Sequence, residues 1–528
     1  MPTPASQKAT RQANRQIARG AGIVMLAFVL GNLIGLARSM ILVRVYGTSL
    51  ELDSFYAANR LAEALFNLVA GGALGSAFIP TFTALLTQER RTAAWRLASA
   101  IANLILVVLI GVALLATLFA PQVVEHVLFL LNPAQDPIQQ ELTTNLLRVL
   151  LPTVVIFGLS GLVMGILNAH QVFLVPAIAP AMYSLGMILG VLVLPDSLGI
   201  FRLAWGALGG AVLHLLVQVP RLLRLGGRYT PTFGLHLPEV REVARLMGPR
   251  LIGVAVVQVN FIVNTIIALS LPDGSVSAIT QGFTLMLMPQ MAIAQAIAIA
   301  AMPTFSAQVA RGRSDELRGS LAASLRMVLL LSFPAALGLI LLRQPLVGLL
   351  YQDGVCGPGC TQMIAWALLW YAVGLVGHSL VEIISRAFYA LHDTRTPVIV
   401  GVGAMSLNIV LSLLLADGFA RLGWMPHGGL ALANSLATSL EMVLLLALMR
   451  RRLGGLEGPA VARSALQAGA AGLGMLCALA GWLALSARLP DGLIVLGGVA
   501  AGVAVYGLLL AVLRVDEIGQ VLGLLQRA

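Results

Sequence analysis

Charge is what this chain has least of. Only 10% of its 528 residues are Asp, Glu, Lys or Arg, against about 25% in an ordinary soluble domain. Hydrophobic residues supply 59% and the mean hydropathy is +0.92. No set of soluble domains with one core each has that balance, so soluble dehydrogenases, kinases and nucleic-acid binders are excluded. Lysine is nearly absent: Lys8 is the only one, and the rest of the positive charge is arginine. Three cysteines are too few for a disulfide scaffold. There is no P-loop, no H-E-x-x-H, and no G-x-S-x-G in a strand–turn–helix setting. An ATP-driven pump on this chain, an enzyme and a resident metal or cofactor are therefore not expected.

Long apolar runs are plentiful. A spanning helix needs about 20 mostly apolar residues, and fourteen windows qualify, from Ala21–Val45 to Gly492–Leu513. They include Ser54–Leu86 (span two), Gly248–Leu271 (span seven), Ala278–Phe305 (span eight) and Thr361–Leu391 (span ten). The expected fold is an all-α polytopic membrane protein. The first run is longer than a signal-peptide core and no A-x-A site follows it, so it reads as a retained span.

The net charge of +11 suits cytoplasmic loops better than a nucleic-acid partner. With the N-terminus inside, 24 Lys and Arg fall on cytoplasmic segments and 5 on outer ones, among them Arg44, Arg202 and Arg343. This asymmetry follows the positive-inside rule and puts both termini in the cytoplasm. Leu235–Met247 (LHLPEVREVARLM) carries Val240, Val243, Ala244 and Met247 on one helical face. It fits an amphipathic helix on the membrane surface or a short loop helix equally well.

The chain repeats itself at an offset near 222. Pro80-Thr81-Phe82 matches Pro303-Thr304-Phe305, Asn168–Pro176 matches Tyr389–Pro397, Arg96 matches Arg318, and Leu225-Gly226-Gly227 matches Leu453-Gly454-Gly455. Each half holds six spans, an even number, so the repeats share one orientation. The expected organisation is a basic N-terminus (1–20), a six-helix bundle (21–227), a cytoplasmic linker (228–247) and a second bundle (248–455). Helices 13 and 14 with a cytoplasmic tail (456–528) complete it. Such parallel-repeat bundles are transporter architecture, with substrate bound between the halves and access alternating by rocking. One chain suffices for that design, so a monomer is expected.

Ionisable residues inside a membrane are costly and mark functional sites by default. Arg38 lies in span one with no acidic neighbour in sequence, Asp53 at the outer mouth of span two, and Arg60, Glu63 and Asn67 on one face of it. Arg250 opens span seven, with Asn260 and Asn264 deeper; span ten carries His378, Glu382 and Arg386, each four apart. Arg60–Glu63 and Glu382–Arg386 equally fit intrahelical pairs that neutralise each other, and Arg250 and Arg386 fit snorkelling to the interface. His214 and Glu441 stand alone and fit packing groups. An arginine fork suits phosphate or pyrophosphate. Gly71-Gly72 and Pro289 break equivalent helices of the two halves and suit a hinge or gate, or a fixed kink. Cys356 and Cys360, in the loop DGVCGPGCT, are candidates for a disulfide, with free thiols the alternative.

These residues together resemble the MurJ (MviN) family of lipid II flippases, relatives of multidrug and polysaccharide exporters. The resemblance rests on Gly35-Leu36-Ala37-Arg38, Asp53-Ser54-Phe55, Gly72-Ala73, Ala77-Phe78-Ile79-Pro80 and Gly165-Ile166-Leu167-Asn168. Met247-Gly248-Pro249, Phe388-Tyr389 and Asp393-Thr394-Arg395-Thr396-Pro397 extend it through the second half. It implies transport of the undecaprenyl-pyrophosphate-linked peptidoglycan precursor across the bacterial cytoplasmic membrane. It also implies a cationic cavity in which Arg38 and Asp53 match family positions, a lipid groove formed by the last two helices, and coupling to the membrane potential, H+ or Na+. Departures from the family pattern are Asn32, Phe66, Asn67, Gly71, Thr284, Leu287 and Glu382. They leave another polyprenyl-linked saccharide, or an ion-coupled multidrug extruder, as the alternative substrate classes.

Overall fold

A computed structural model describes residues 27, 29–69, 72–132 and 137–515, with backbone only at 69, 72–76, 249–250 and 252–253. Among the described residues the secondary structure is helical throughout, without strands. The helices are α1 (Val29–Tyr46), α2 (Leu50–Val69), α3 (Gly72–Thr87), α4 (Arg91–Leu118), α5 (Pro137–Ala169), α6 (Leu174–Val193) and α7 (Phe201–Leu216). Next come α8 (Pro238–Leu269), α9 (Ser275–Gln290), α10 (Ala296–Ala310), α11 (Ser314–Tyr351), α12 (Pro358–Val373) and α13 (Leu375–Ala390). The chain closes with α14 (Arg395–Arg421), α15 (His427–Arg452), α16 (Gly458–Ser486) and α17 (Asp491–Val512).

Among the described residues, eleven helices are long and apolar enough to cross a membrane, twelve when α12 and α13, bent by 47° at Gly374, count as one span. Fourteen were expected. The two windows that fall short have physical reasons. Span two is divided between α2 and α3, and α2 carries Glu51, Asp53, Arg60 and Glu63. Span seven begins with polar turns, and only Val254–Leu269 of α8 is apolar. The amphipathic stretch from Pro238 is not a separate helix but the first turns of α8. Val240 and Val243 of its expected apolar face are buried, while Ala244 is exposed.

The described residues divide into two compact units between Ile266 and Ile267. In the first, α6 and α7 meet through glycine: a Cβ on Gly186 would lie 2.2 Å from the Gly210 Cα. Such backbone contact is how membrane helices gain packing without a hydrophobic drive. The segment before α8 is held on α4. Asn103 donates to the Thr232 carbonyl (2.8 Å), Ser99 accepts from the Thr230 amide (3.1 Å), and Arg90 pairs with Glu239 (3.2 Å). In the second unit α16 and α17 dock on α11 through Leu330, Leu342, Met475 and Leu479. There the buried Tyr506 hydroxyl donates to the Leu330 carbonyl (2.9 Å).

The internal repeat is written into the backbone. Left-handed residues recur at Glu89 and Gly312 (φ 59° and 68°), Gln171 and His392 (59° and 58°), and Gly226 and Gly454 (69° and 67°). Their offsets match those of the sequence repeat. The same helix-ending bond recurs with them, from the Val172 amide to Leu167 and from the Asp393 amide to Phe388. A repeated helix stop of this kind needs a left-handed residue after the last turn. The two halves therefore share their corner geometry as well as their sequence order.

Candidate functional site

Four helices of the first unit bring polar groups together. Spacing along α2 puts Asn59, Arg60, Glu63 and Asn67 on adjoining turns, where side chains three and four apart are neighbours. Arg60 Nη1 donates to Glu63 Oε2 (3.2 Å) and Asn59 Nδ2 to Glu63 Oε1 (2.8 Å). From α6, the Tyr183 hydroxyl donates to Asn59 Oδ1 (3.1 Å). From α8, Phe261 presents its ring to the Arg60 guanidinium, 4.9 Å from carbon to centroid, a cation–π geometry. Met187, one turn beyond Tyr183, is the contact of Arg38: Nη1 lies 3.8 Å from Sδ.

The two arginines differ in electrostatic state. Arg60 is neutralised by Glu63, with both side chains partly exposed. Arg38 on α1 is half-buried, and no carboxylate among the described residues lies within ion-pair distance of it. A thioether is a weak acceptor, so the Arg38 fork keeps donors for an anion. Two cations and one carboxylate leave this cluster one positive charge.

The other sequence-chosen residues fall as follows. Asp53 is buried in the first turn of α2 and has partners of its own. Asn264 Nδ2 donates to the Asn260 carbonyl (2.9 Å), one turn back along α8. The Arg250 backbone is helical, and its side chain lies outside the described residues. Gly71 also lies outside them, and Gly72 is the first residue of α3. Pro289 stands just before a π-helical turn, Met291–Gln295, which separates α9 from α10. A wider turn relieves the backbone that proline interrupts.

In the second unit Glu382 Oε1 accepts from Arg386 Nη2 (2.7 Å) on α13. His378 Nε2, one turn earlier, lies 2.9 Å from Asn434 Oδ1 on α15. Cys356, in the loop after α11, is joined to Cys360 in the first turn of α12, their Cα atoms 5.3 Å apart. Among the described residues no group of three or more His, Cys, Asp or Glu is arranged to hold a metal ion.

Sequence reasoning missed Asn59, Tyr183, Met187 and Phe261. None is ionised at neutral pH; Tyr183, Met187 and Phe261 contribute only through partners distant in sequence (Asn59, Arg38 and Arg60), and Asn59 through Glu63 one turn along α2. His214, read as alone, has company: its Nδ1 lies 2.6 Å from Ser160 Oγ, to which Gln218 Nε2 donates (2.7 Å).

A family model described as lipid II flippase MurJ matches residues 42–495. The chain belongs to the MurJ family. Its MurJ relatives include the lipid II flippase of Burkholderia cenocepacia, 31% identical over 80% of this chain and 82% of that one. The probable lipid II flippase of Bdellovibrio bacteriovorus is 28% identical over 92% and 91%. Among solved structures, a MurJ in an inward closed conformation superposes with a TM-score of 0.78 at 21% identity, covering 94% of this chain and 99% of that one. An inward-facing multidrug resistance MATE transporter gives 0.67 at 15% identity over 83% and 99%. The MurJ match and the apolar helices make this a multi-pass membrane protein, a transporter by family rather than an enzyme.

Proposed function

We propose that this protein flips lipid II from the inner to the outer leaflet of the bacterial cytoplasmic membrane by alternating access, working as a monomer with both termini in the cytoplasm. The observation that carries this reading is the cation set of the first unit. A pyrophosphate headgroup cannot cross hydrocarbon unaided, because each buried charge needs a partner. Arg38 offers a planar donor fork without a carboxylate partner among the described residues, and bidentate arginine contacts suit phosphate oxygens. Arg60 stands ready behind Glu63, and its Phe261 contact holds the guanidinium plane.

The amides of Asn67, Asn260 and Asn264 supply donors and acceptors of the kind sugars need. Arg250 and the Glu382–Arg386 pair complete the polar set, and Asp53 secures the start of α2. The repeat supports residues 21–227 and 248–455 as the two moving bundles, with 228–247 joining them. Gly71-Gly72 and Pro289 with its π turn are the hinge points. No cofactor is required. The membrane potential or an ion gradient drives the cycle, since each charge moved is worth about 2.3 kcal/mol per 100 mV.

The test is a reconstituted flipping assay with three substrates side by side: fluorescent lipid II, a polyprenyl-pyrophosphate carrying a different saccharide, and a hydrophobic cationic drug. Flipping of lipid II in preference to both supports the reading. Selective movement of the other saccharide lipid reassigns the substrate, and movement of the drug alone overturns the flippase reading.

A further inference from the structure

The first half of the repeat ends in a stretch that the second half lacks. After Leu453-Gly454-Gly455 the chain enters α16 at Gly458, but after Leu225-Gly226-Gly227 residues 228–237 intervene before α8 starts at Pro238. They form no helix and run along α4. Gly227 lies on Trp95, where an added Cβ would stand 2.3 Å from the indole, and the Tyr229 hydroxyl donates to Asn103 Oδ1 (2.8 Å). Trp95 and Asn103 are about 12 Å apart along the helix, and beyond Arg96 α4 carries no charged residue. The strap thus leaves the basic end of the bundle and enters its apolar zone. Non-helical chain at that depth needs partners for its backbone. Ser99 and Asn103 serve Thr230 and Thr232, and the Gly234 amide donates to Thr232 Oγ1 (3.1 Å).

Side chains alternate along the strap, as in any extended chain. Thr230 and Thr232 are half-buried, and Gly234 is buried against Ala100. Tyr229, Pro231, Phe233 and Leu235 stand outward, and Tyr229, Phe233 and Leu235 are 66, 50 and 62% exposed. The outward row is wholly apolar or aromatic, which water disfavours and a membrane interface favours. Arginines flank it. Arg221, Arg224, Arg228, Arg241 and Arg245 are all exposed, and none forms an ion pair among the described residues. Arg241 Nε donates to the Leu235 carbonyl (2.9 Å), which sets that guanidinium at the end of the row. Of the two glutamates nearby, Glu239 is held by Arg90, which leaves Glu242 alone against five guanidiniums.

We propose that this strap is a binding site for anionic phospholipid. The outward row lies among the acyl chains, and the arginines, Arg228 and Arg241 first, take the headgroup phosphate through the guanidinium fork. A zwitterionic lipid offers the same chains and phosphate but brings its own cation, so it competes poorly for the arginines. The orientation proposed above puts this lipid in the cytoplasmic leaflet. The site does not depend on lipid II transport, so failure of the flippase reading leaves it standing.

The test is native mass spectrometry of the full chain, delipidated in neutral detergent and titrated with phosphatidylglycerol or phosphatidylcholine at low salt. The wild type should retain phosphatidylglycerol in preference to phosphatidylcholine. An arginine near an anionic leaflet is worth about 1 kcal/mol, so Arg228→Gln with Arg241→Gln should weaken that retention roughly thirtyfold. Arg450→Gln with Arg451→Gln removes the same charge from exposed positions at the repeat-related corner, which has no strap, and should leave retention unchanged. Equal loss in both pairs, or no preference for the anionic lipid, overturns the site. A second readout gives depth: a nitroxide on Phe233→Cys, in a Cys477→Ala background, in nanodiscs of the two lipids. Dissolved oxygen should reach the label more readily than an aqueous nickel chelate does. Greater access by the chelate would put the row in water and overturn the proposal.

Discussion

Glu63→Gln is the substitution for which the first-unit cluster makes the least obvious prediction. Glutamine keeps a side-chain oxygen for Asn59 and removes the charge that neutralises Arg60. The cluster then holds two uncompensated arginines instead of one. A phosphate seated on Arg60 would stand about 7 Å from the Glu63 carboxylate. Unit charges at that distance repel by roughly 2.4 kcal/mol at an effective dielectric of about 20. The Glu63 side chain is 42% exposed, so solvent screening reduces this to roughly 1 kcal/mol. Removing that repulsion should tighten binding of a polyprenyl diphosphate about fivefold. The assay is titration calorimetry in detergent at low salt, repeated at high salt, where the gain should shrink. Fold stability should hardly change, because a half-exposed pair one turn apart contributes little. Weaker binding in Glu63→Gln would refute the reasoning, since it would make the carboxylate a direct ligand rather than a brake on Arg60.

Three further outcomes follow from other parts of the molecule. Gly186→Val forces a side chain into the Gly210 backbone, where a Cβ already stands at 2.2 Å. It should cost about 1–3 kcal/mol or more, read as a lower unfolding temperature, while Gly209→Ala, with open space around it, should be neutral. At the α13–α14 corner the Thr396 amide and hydroxyl, with Arg452, hold the Asp393 carboxyl below the usual carboxylate range. A depressed folded value means stabilisation that is complete above the ordinary carboxylate pKa and lost as pH falls through the folded one. Asp393→Asn keeps an acceptor for the Thr396 amide and removes the charge, so it should cost less than about 1 kcal/mol at neutral pH, and the gap to wild type should close in acid. A gap that stays constant with pH would remove the charge from that account. Finally, Tyr183→Phe deletes the donor to Asn59 and leaves the ring packed. It should weaken substrate binding modestly without lowering stability by more than about 1.5 kcal/mol, and an unchanged affinity would detach α6 from the site.

Much of the fold was legible because it follows from composition and spacing. Apolar runs marked the helices, and the Leu-Gly-Gly endings marked corners where Gly226 and Gly454 adopt the same left-handed backbone. The α2 pair was legible as well, since the spacing of Arg60 and Glu63 allows the ion pair that forms. Less legible were features that depend on distant partners. Tyr183 and Asn59 are 124 residues apart, and neither stands out in an apolar helix. His214 looked isolated until Ser160 and Gln218 closed around it. The stretch from Pro238 was ambiguous for a local reason: its apolar face suits a surface helix, and only the continuity of α8 decides otherwise.

The most direct test of the central claim is native mass spectrometry of the purified wild type and Arg38→Ala with lipid II, a polyprenyl-pyrophosphate carrying another saccharide, and a cationic drug. The account predicts selective retention of lipid II by the wild type and its loss in Arg38→Ala, with the variant's unfolding temperature unchanged. Equal retention of lipid II by both proteins would contradict the role of Arg38, and retention of the drug in its place would contradict the flippase itself.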